Sequence, residues 1–415
     1  MTVLSRRRFL QVTAGVGAVA MVPALRSAAD AGPAPARGQW LAGDFHVHTT
    51  YSHDVWSGPA DDNTTADEFY TLGWTAAEQI GLAETRGLHF LALTDHNRLD
   101  VLRDPGYYSS KLVLVPGYEH SLSGGHAGVF VPSRADLPDL IRNRDGSTSF
   151  ATDQDVRRFV QQVHERGGVT VINHPTAESV WGYGQAASMG FDAVEAWNGR
   201  WQQRAETVPF SYSDNYKAVP WWESTFLPHR AMGITGGSDN HWRSVTAAAG
   251  VGQPTTWVYA ADRSPASIID AVRAGRTFVS AEPPLHGGQR VFLTATDPTR
   301  QEQIVGGRVA ALSSVHVRVT VEGGTGQRLR LISTGQVISD QAVLGPMSHH
   351  EANVVLPDGG WLRAELLVDA GYLVTAVTSP IFAGPMRGGR PQDPTTGPAV
   401  SYASPPMTLP EVQCC

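Results

Sequence analysis

The chain reads as an α/β protein: a barrel of short strands and helices, followed by a small all-β, sandwich-like domain. Three observations predict this. Short apolar runs alternate with helical stretches from Trp40 to about Pro284. Beyond Pro284 the hydrophobic period becomes two, with Gly-rich turns between runs. In the first region, His, Asp or Glu stands just after one apolar run after another, where a barrel gathers its active site.

Taken in order, residues 1–39 are a signal peptide and linker. Ser5-Arg-Arg-Arg-Phe-Leu-Gln11 precedes an apolar run from about Val12 to Leu25, and an Ala/Pro/Gly-rich stretch follows. The run is short of the roughly 20 residues a spanning helix needs. Paired arginines before Phe9-Leu10 resemble a twin-arginine signal, which implies the twin-arginine export machinery as a partner. The expected destination is the periplasm, cell wall or medium, with no stable membrane insertion after processing.

Residues 40–284 form the expected barrel. Its apolar runs are Phe90–Thr94, Leu112–Pro116, Gly128–Val131, Val169–Ile172, Ala193–Glu195 and Ala231–Thr235. The pattern predicts a helix over Thr64 to Arg86, capped by Thr64 or Thr65 and stopped by Gly87. A second helix spans Asp153 to Arg166 and ends at Gly167-Gly168. A third opens at Ser264-Pro265, with serine at the cap and proline at the first helical position. Short buried strands alternating with helices imply parallel pairing.

Residues 285–383 alternate in and out over Val291–Thr296, Val315–Val321, Leu329–Ile332, Ala352–Leu356, Trp361–Leu367 and Leu373–Val377, as expected of a β-sandwich. His349-His350 is placed in a solvated loop. Residues 384–415, rich in Gly, Pro and Ser, read as a disordered tail.

The net charge of −7 over 415 residues argues against a nucleic-acid partner. The two cysteines, Cys414 and Cys415, are adjacent and terminal, so any metal site here uses nitrogen and oxygen ligands. The 15 histidines supply them. His46 and His48, two apart in Asp44-Phe-His-Val-His-Thr-Thr-Tyr-Ser-His-Asp54, point to one side of an extended chain. Thr94-Asp-His-Asn97, Pro116-Gly-Tyr-Glu-His120, Gly124-Gly-His-Ala-Gly128, Ile172-Asn-His-Pro175 and Gly237-Ser-Asp-Asn-His241 follow. As structural hydrogen-bonders alone, so many buried ionisable groups are costly without a cation. Asp95 is expected to orient an imidazole, and His120 to neighbour the site without joining it. Asn97, Asn173 and Asn240 are secondary contacts or turn residues.

In order and content, these blocks resemble the PHP (polymerase and histidinol phosphatase) superfamily over residues 41 to 283. The resemblance implies a distorted (β/α)7 barrel holding two or three divalent ions (Zn, Mn or Fe). Carried over block by block, it implies that His46, His48, Glu119 and Asp239 hold one ion. Glu119 bridges to a second ion, held with His126 and His174. His96 and His241 hold a third, with Asp54 or its neighbour His53 from the end of the first block. The β domain and Ala271-Val-Arg-Ala-Gly-Arg-Thr-Phe-Val-Ser280 resemble the carbaryl-hydrolase-like (CehA/McbA) branch.

The implied activity is that of an exported metal-dependent hydrolase, a phosphoesterase using a metal-bound hydroxide, with Glu119, Asp239 and His241 at the catalytic centre. Arg98 and Arg243, each two residues beyond an implied ligand, are candidate phosphate clamps. Hydrolysis of a carbamate or carboxylic ester on the same ions is the alternative. It is favoured by an aromatic stretch from Trp181 to Trp242 that reads either as a substrate wall or as packing. A non-catalytic exported binding protein is a third reading.

Overall fold

β1 (Gln39–Asp44) is the strand around which the barrel is built. It pairs parallel with β2 (Phe90–Leu91), which pairs parallel with β3 (Val113–Leu114). A second sheet runs β4 (Gly117–Leu122), β5 (Gly125–Phe130), β6 (Val169–Asn173), β7 (Ala193–Asn198) and β8 (Gly233–Gly237). β9 (Thr255–Ala260) then returns antiparallel to β1, and β10 (Thr277–Ser280) antiparallel to β9. Two seams join the sheets: isolated parallel bridges link His96 to Glu119 and Val47 to Asn240. At the second seam Gly236 N also donates to Thr256 Oγ1 at 2.7 Å. The computed structural model describes residues 38–52, 72–122, 124–137, 152–176, 189–201, 215–241, 243, 250–368, 373–384 and 402. The export signal, His53, Asp54, Trp181, Tyr183, Phe210, Tyr212, Trp242, the two cysteines and most of the expected tail lie outside the described residues.

All-parallel pairing is not what forms. β5 runs antiparallel to both β4 and β6, because Gly124 and Gly125 turn the chain straight back after β4 where a crossover helix was expected. Among the described residues the first helix is α1 (Ala76–Thr85), so the expected span from Thr64 to Arg86 is not one continuous helix. Residues 72–75 are not helical, and Thr75 caps the helix in a reciprocal box with Glu78. Thr64 and Thr65 lie outside the described residues. α2 (Asp153–Glu165) is capped by Thr152 and Asp155, and buries Val156, Phe159, Val160 and Val163 at helical spacing. α3 (Asn215–Thr225) lies in the long aromatic stretch, and α4 (Pro265–Arg273) opens at Ser264 with proline first, as expected.

The second region is a sandwich. One sheet is β12-β11-β14-β17, made of β11 (Arg290–Thr296), β12 (Glu302–Ile304), β14 (Ser314–Glu322) and β17 (Met347–Val355), with β13 (Arg308–Val309) assigned to the facing layer. That layer also contains β15 (Arg328–Ser333), β16 (Gln336–Ala342), β18 (Trp361–Val368), β19 (Leu373–Thr378) and β20 (Ile381–Ala383). Val291, Leu293, Val317 and Val319 of the first sheet meet Leu329, Leu331, Leu362 and Leu366 of the second in one buried cluster. His349 and His350 lie inside β17, not in a loop; the alternation there carried too few apolar residues to read as a strand. β19 pairs with β10, so one continuous sheet crosses the expected boundary at 284 and covers the edge that β10 would otherwise expose.

A buried polar network fastens the regions together. Arg363 of β18 is fully buried and paired with Glu223 of α3, with Glu365 at 2.7 Å and with the Tyr402 hydroxyl at 2.9 Å. Tyr402, inside the expected tail, is itself buried and meets Trp201 edge-on. Removing one member of such a network strands the others. Arg363→Ala is therefore expected to cost about 3–5 kcal/mol, because two carboxylates lose their buried cation. Chemical denaturation of the full chain measures this, and a change below about 1 kcal/mol would contradict it.

Candidate metal centre

The ligand-type side chains gather at one end of the barrel, and the topology explains how. His46 and His48 follow β1, His96 follows β2, His174 follows β6, and Asp239 and His241 follow β8, all at carboxyl ends. Glu119 lies within β4. His126 comes from the amino end of β5, which reaches the same place because β5 runs backwards between its neighbours.

Their geometry is unusual for hydrogen bonding. Glu119 Oε2 has His46 Nε2 at 3.1 Å, His48 Nε2 at 3.2 Å and His96 Nδ1 at 3.2 Å. Asp239 Oδ1 has His46 Nε2 and His48 Nε2 at 3.1 Å and His241 Nδ1 at 3.3 Å. Both oxygens are buried, and neither has a hydrogen bond of acceptable geometry. His46 Nε2 and His48 Nε2 are themselves 3.0 Å apart. Nitrogen and oxygen ligands about 2.0–2.1 Å from a tetrahedral zinc are separated by roughly 3.3–3.4 Å along the tetrahedron's edges. The observed spacings are close to those edges, and the donor set suits a borderline divalent ion. Three groups have ligand atoms mutually within 4.8 Å: His46, His48, Glu119, Asp239; His48, His96, His241; and His96, Glu119, His126. His174 Nε2 joins at 3.1 Å from Glu119 Oε1, where His126 Nδ1 also lies at 3.3 Å. The residues fit a cluster of divalent ions.

Electrostatics favours charged partners throughout. Burial opposes charge on Glu119 and Asp239, but the surrounding imidazoles outweigh it and hold both carboxyls well below the usual range. Burial likewise opposes charge on His46, yet Asp239, Glu119 and Glu195 hold it well above the usual value. His48 is raised against burial and the nearby His241, and His174 is raised to about 9 by Glu119 despite burial.

Backbone strain concentrates here. Asn97, His174 and Asp239 have φ of 50°, 23° and 51°, which costs of order 1–3 kcal/mol each. Each strained residue's amide is captured: Asn97 N by Glu119 O at 2.8 Å, His174 N by Glu195 at 3.0 Å, and Asp239 N by His46 O at 2.8 Å.

Several neighbours differ from expectation. Asp95 does not orient an imidazole; it accepts from Thr49 N at 2.6 Å and from the Thr49 hydroxyl, bracing the loop after β1. Ser52 supports the His48 ring instead, its Oγ 3.0 Å from His48 Nδ1, and it also accepts from the backbone N of His96 at 3.2 Å. Arg98 is half-exposed and pairs with Asp100. Arg243 pairs with Glu78, donates to Gly73 O at 2.6 Å and lies over Trp74. Both guanidiniums are thus held by groups beside them in the fold. His120 stacks on Phe159, as a neighbour should. Asn173 donates to Glu119 Oε1 at 2.8 Å. Trp197, Trp201, Trp222 and Phe226 are buried, so the described aromatics of the long stretch serve as packing.

Sequence reasoning missed Glu195 and Asn198. Glu195 Oε1 is 2.9 Å from His46 Nδ1, and Asn198 Nδ2 lies 3.1 Å from Asp239 Oδ2. The available signal was a carboxylate inside an otherwise apolar run, Ala193-Val-Glu-Ala-Trp197.

No family model matches the chain, and no curated protein does. Solved structures similar to the chain include the following two. One is a two-domain protein containing a predicted PHP-like metal-dependent phosphoesterase from Bacteroides vulgatus, at 16% identity and TM-score 0.40, covering 87% of this chain and 99% of that one. The other is an amidohydrolase from Chromobacterium violaceum with bound sulfate and no metal, at 15% identity and TM-score 0.32, covering 49% and 88%. At scores and identities this low, neither likeness speaks to what this chain acts on.

Two outcomes follow from the geometry. A Cβ at Gly237 would stand 2.3 Å from His46 Cβ and 2.5 Å from Glu195 Oε1. Gly237→Ala is therefore expected to weaken metal uptake at least about tenfold by displacing both, as judged by competition with a chelator. Separately, imidazoles with raised pKa carry protons at neutral pH when metal-free, and a ligand must shed its proton. Zinc uptake at pH 7 is expected to release protons, with the number falling as pH rises past about 9, where His174 is already neutral. Uptake at pH 7 with no proton release, followed with an indicator dye, would contradict this.

Proposed function

We propose that the chain is a metal-dependent hydrolase of the PHP type, acting on phosphoesters. The observation that carries this is the pair of buried oxygens, Glu119 Oε2 and Asp239 Oδ1, each faced by three imidazole nitrogens without a proper hydrogen bond. His46, His48, Glu119 and Asp239 would hold one ion. Glu119 with His126 and His174 would hold a second, and His96 with His241 a third, completed by Asp54 or His53. When bound, such ions supply Lewis acidity and make water a nucleophile at neutral pH.

The chain's own residues define what that chemistry acts on. His46, His48, His96 and Glu119 are buried, so interactions at the reacting centre are little weakened by solvent. Among the described ligand residues His46, His48, His96, His126, His174 and His241 are neutral when ligating, and only Glu119 and Asp239 bring negative charge. Two or three divalent ions exceed that charge, which favours an anionic substrate such as a phosphate ester. Arg98 and Arg243 would reach a phosphate only by leaving Asp100 and Glu78. Export through the twin-arginine machinery belongs to the same proposal. Replacing Arg6 and Arg7 together by lysine, in a fusion of residues 1–39 to a folded reporter, is expected to retain the reporter in the cytoplasm.

The test is metal analysis followed by paired assays with nitrophenyl phosphate and a nitrophenyl or naphthyl ester. Phosphate turnover is expected, falling about a thousandfold or more in Glu119→Ala, in keeping with several kcal/mol of transition-state stabilisation. Turnover of the ester alone would replace the phosphoesterase assignment with carboxylic ester or carbamate hydrolysis. Metal binding without turnover of either class would leave a binding protein.

A further inference from the structure

We infer that Glu195 and Asn198 are positioning residues for the metal centre, brought together by a bulge in β7; this rests on the metal-dependent reading above. In a regular strand residues three apart point to opposite faces. In β7 the pairing with β8 slips between Glu195 and Trp197: Glu195 faces Thr235 while Trp197 faces Gly236. The extra residue, Ala196, lets Glu195 and Asn198 turn to the same interior side, where Asn198 Nδ2 donates to Glu195 Oε2 at 3.0 Å. Bulges beside active sites re-aim side chains in this way.

The pair sets three elements at once. A carboxylate can only accept, so the 2.9 Å contact places a proton on His46 Nδ1 and makes Nε2, which faces Glu119 and Asp239, the nitrogen that would ligate once it sheds its own proton. The second Glu195 oxygen accepts from His174 N at 3.0 Å, holding that residue at its strained φ. Asn198 holds Asp239 Oδ2 at 3.1 Å, so that Oδ1 is the oxygen turned toward the imidazoles. Asn198 is fixed in turn by Asn215 at the start of α3, through bonds of 2.8 Å to its N and O. Both residues are buried, and Gly237 leaves the space that Glu195 Oε1 occupies. Groups that orient metal ligands in this manner are typically worth 10–100-fold in metal affinity.

Glu195→Gln and Asn198→Ala test the inference in the full chain. Three donors converge on Glu195, and an amide with one accepting side cannot satisfy them all. Each variant is expected to bind zinc about 10–100-fold more weakly in chelator competition. Each should also shift the visible absorption bands of the cobalt-loaded protein, while the unfolding midpoint of the metal-free protein falls by clearly less than the loss in affinity corresponds to. Wild-type zinc affinity and cobalt spectrum in both variants would overturn the inference. So would a metal-free midpoint that falls as far as the affinity does, which marks a merely structural role. If Glu195→Gln fails to fold, Asn198→Ala decides alone, since it leaves Glu195 in place. A wild-type protein that binds zinc without hydrolysing either substrate class removes the hydrolase reading and leaves this inference standing on the metal measurements.

Discussion

The barrel's mouth depends on two buried carboxylates that must have positive charge beside them. A carboxylate deprived of water and of cations is among the most costly groups a fold can contain. Glu119 is fully buried and Asp239 largely so, and they lie side by side, sharing His46 and His48 as neighbours. In the metal-free chain the positive charge comes from protons on raised imidazoles. Divalent ions would take the same place and displace those protons, so one electrostatic arrangement serves both states. Each carboxylate also has its other oxygen tied to an asparagine amide, Glu119 to Asn173 and Asp239 to Asn198. Asp239 thus has one oxygen oriented and the other turned to the cluster, whereas Glu119 Oε1 meets His174 and His126 as well as Asn173.

The unusual topology follows from the same need. Ligands from carboxyl ends alone would leave the β4–β6 side of the ring sparsely furnished. Reversing β5 brings its amino end, with His126, against Glu119 and opposite Asn173. Strain at Asn97, His174 and Asp239 is local and is held by backbone bonds to residues that themselves surround the site. The sandwich contributes from behind: Arg363 holds Glu223 of α3, and Asn215 at the other end of that helix holds Asn198. Metal site and sandwich thus share one connected frame, although contact alone does not establish energetic coupling.

Much of this was legible in the sequence because its signals are local. Ionisable residues stationed after apolar runs marked His46, His48, His96, Glu119, His174, Asp239 and His241, and the structure brings them together. Ser264 was legible as a helix start because a cap acts over one turn, and the second helix was legible from Asp153 on. What was not legible depends on partners distant in sequence. Thr65 with Glu68 and Thr75 with Glu78 offer the same cap chemistry at the same spacing, so the box by itself does not choose between them. The reversal at Gly124-Gly125 competed with a strong expectation of crossover helices. The bulge that turns Glu195 inward is a property of pairing between β7 and β8, which no single strand encodes. The continuity of β10 with β19 is likewise a property of edges, so a change in hydrophobic period near 284 marked a change of architecture and not a break in the sheet.

Two features that distinguished phosphate from ester chemistry in the sequence have other uses in the fold. Proximity to a ligand along the chain does not set a side chain's direction, and Arg98 and Arg243 are drawn to Asp100 and Glu78. The aromatic stretch, where it is described, fills the core: Trp197 packs edge-on against Trp201, and Trp221 against Phe226. Among the described residues, neither feature therefore distinguishes the two chemistries. The remaining discriminator is the composition of the cluster itself, rich in neutral imidazoles and poor in carboxylates. A site so composed becomes more positive with each ion it accepts, and the affinity of such a site for a phosphate dianion rises in step. A neutral ester or carbamate would gain far less from that field, so under the proposed phosphoesterase reading substrate charge, more than substrate shape, would decide what the centre accepts.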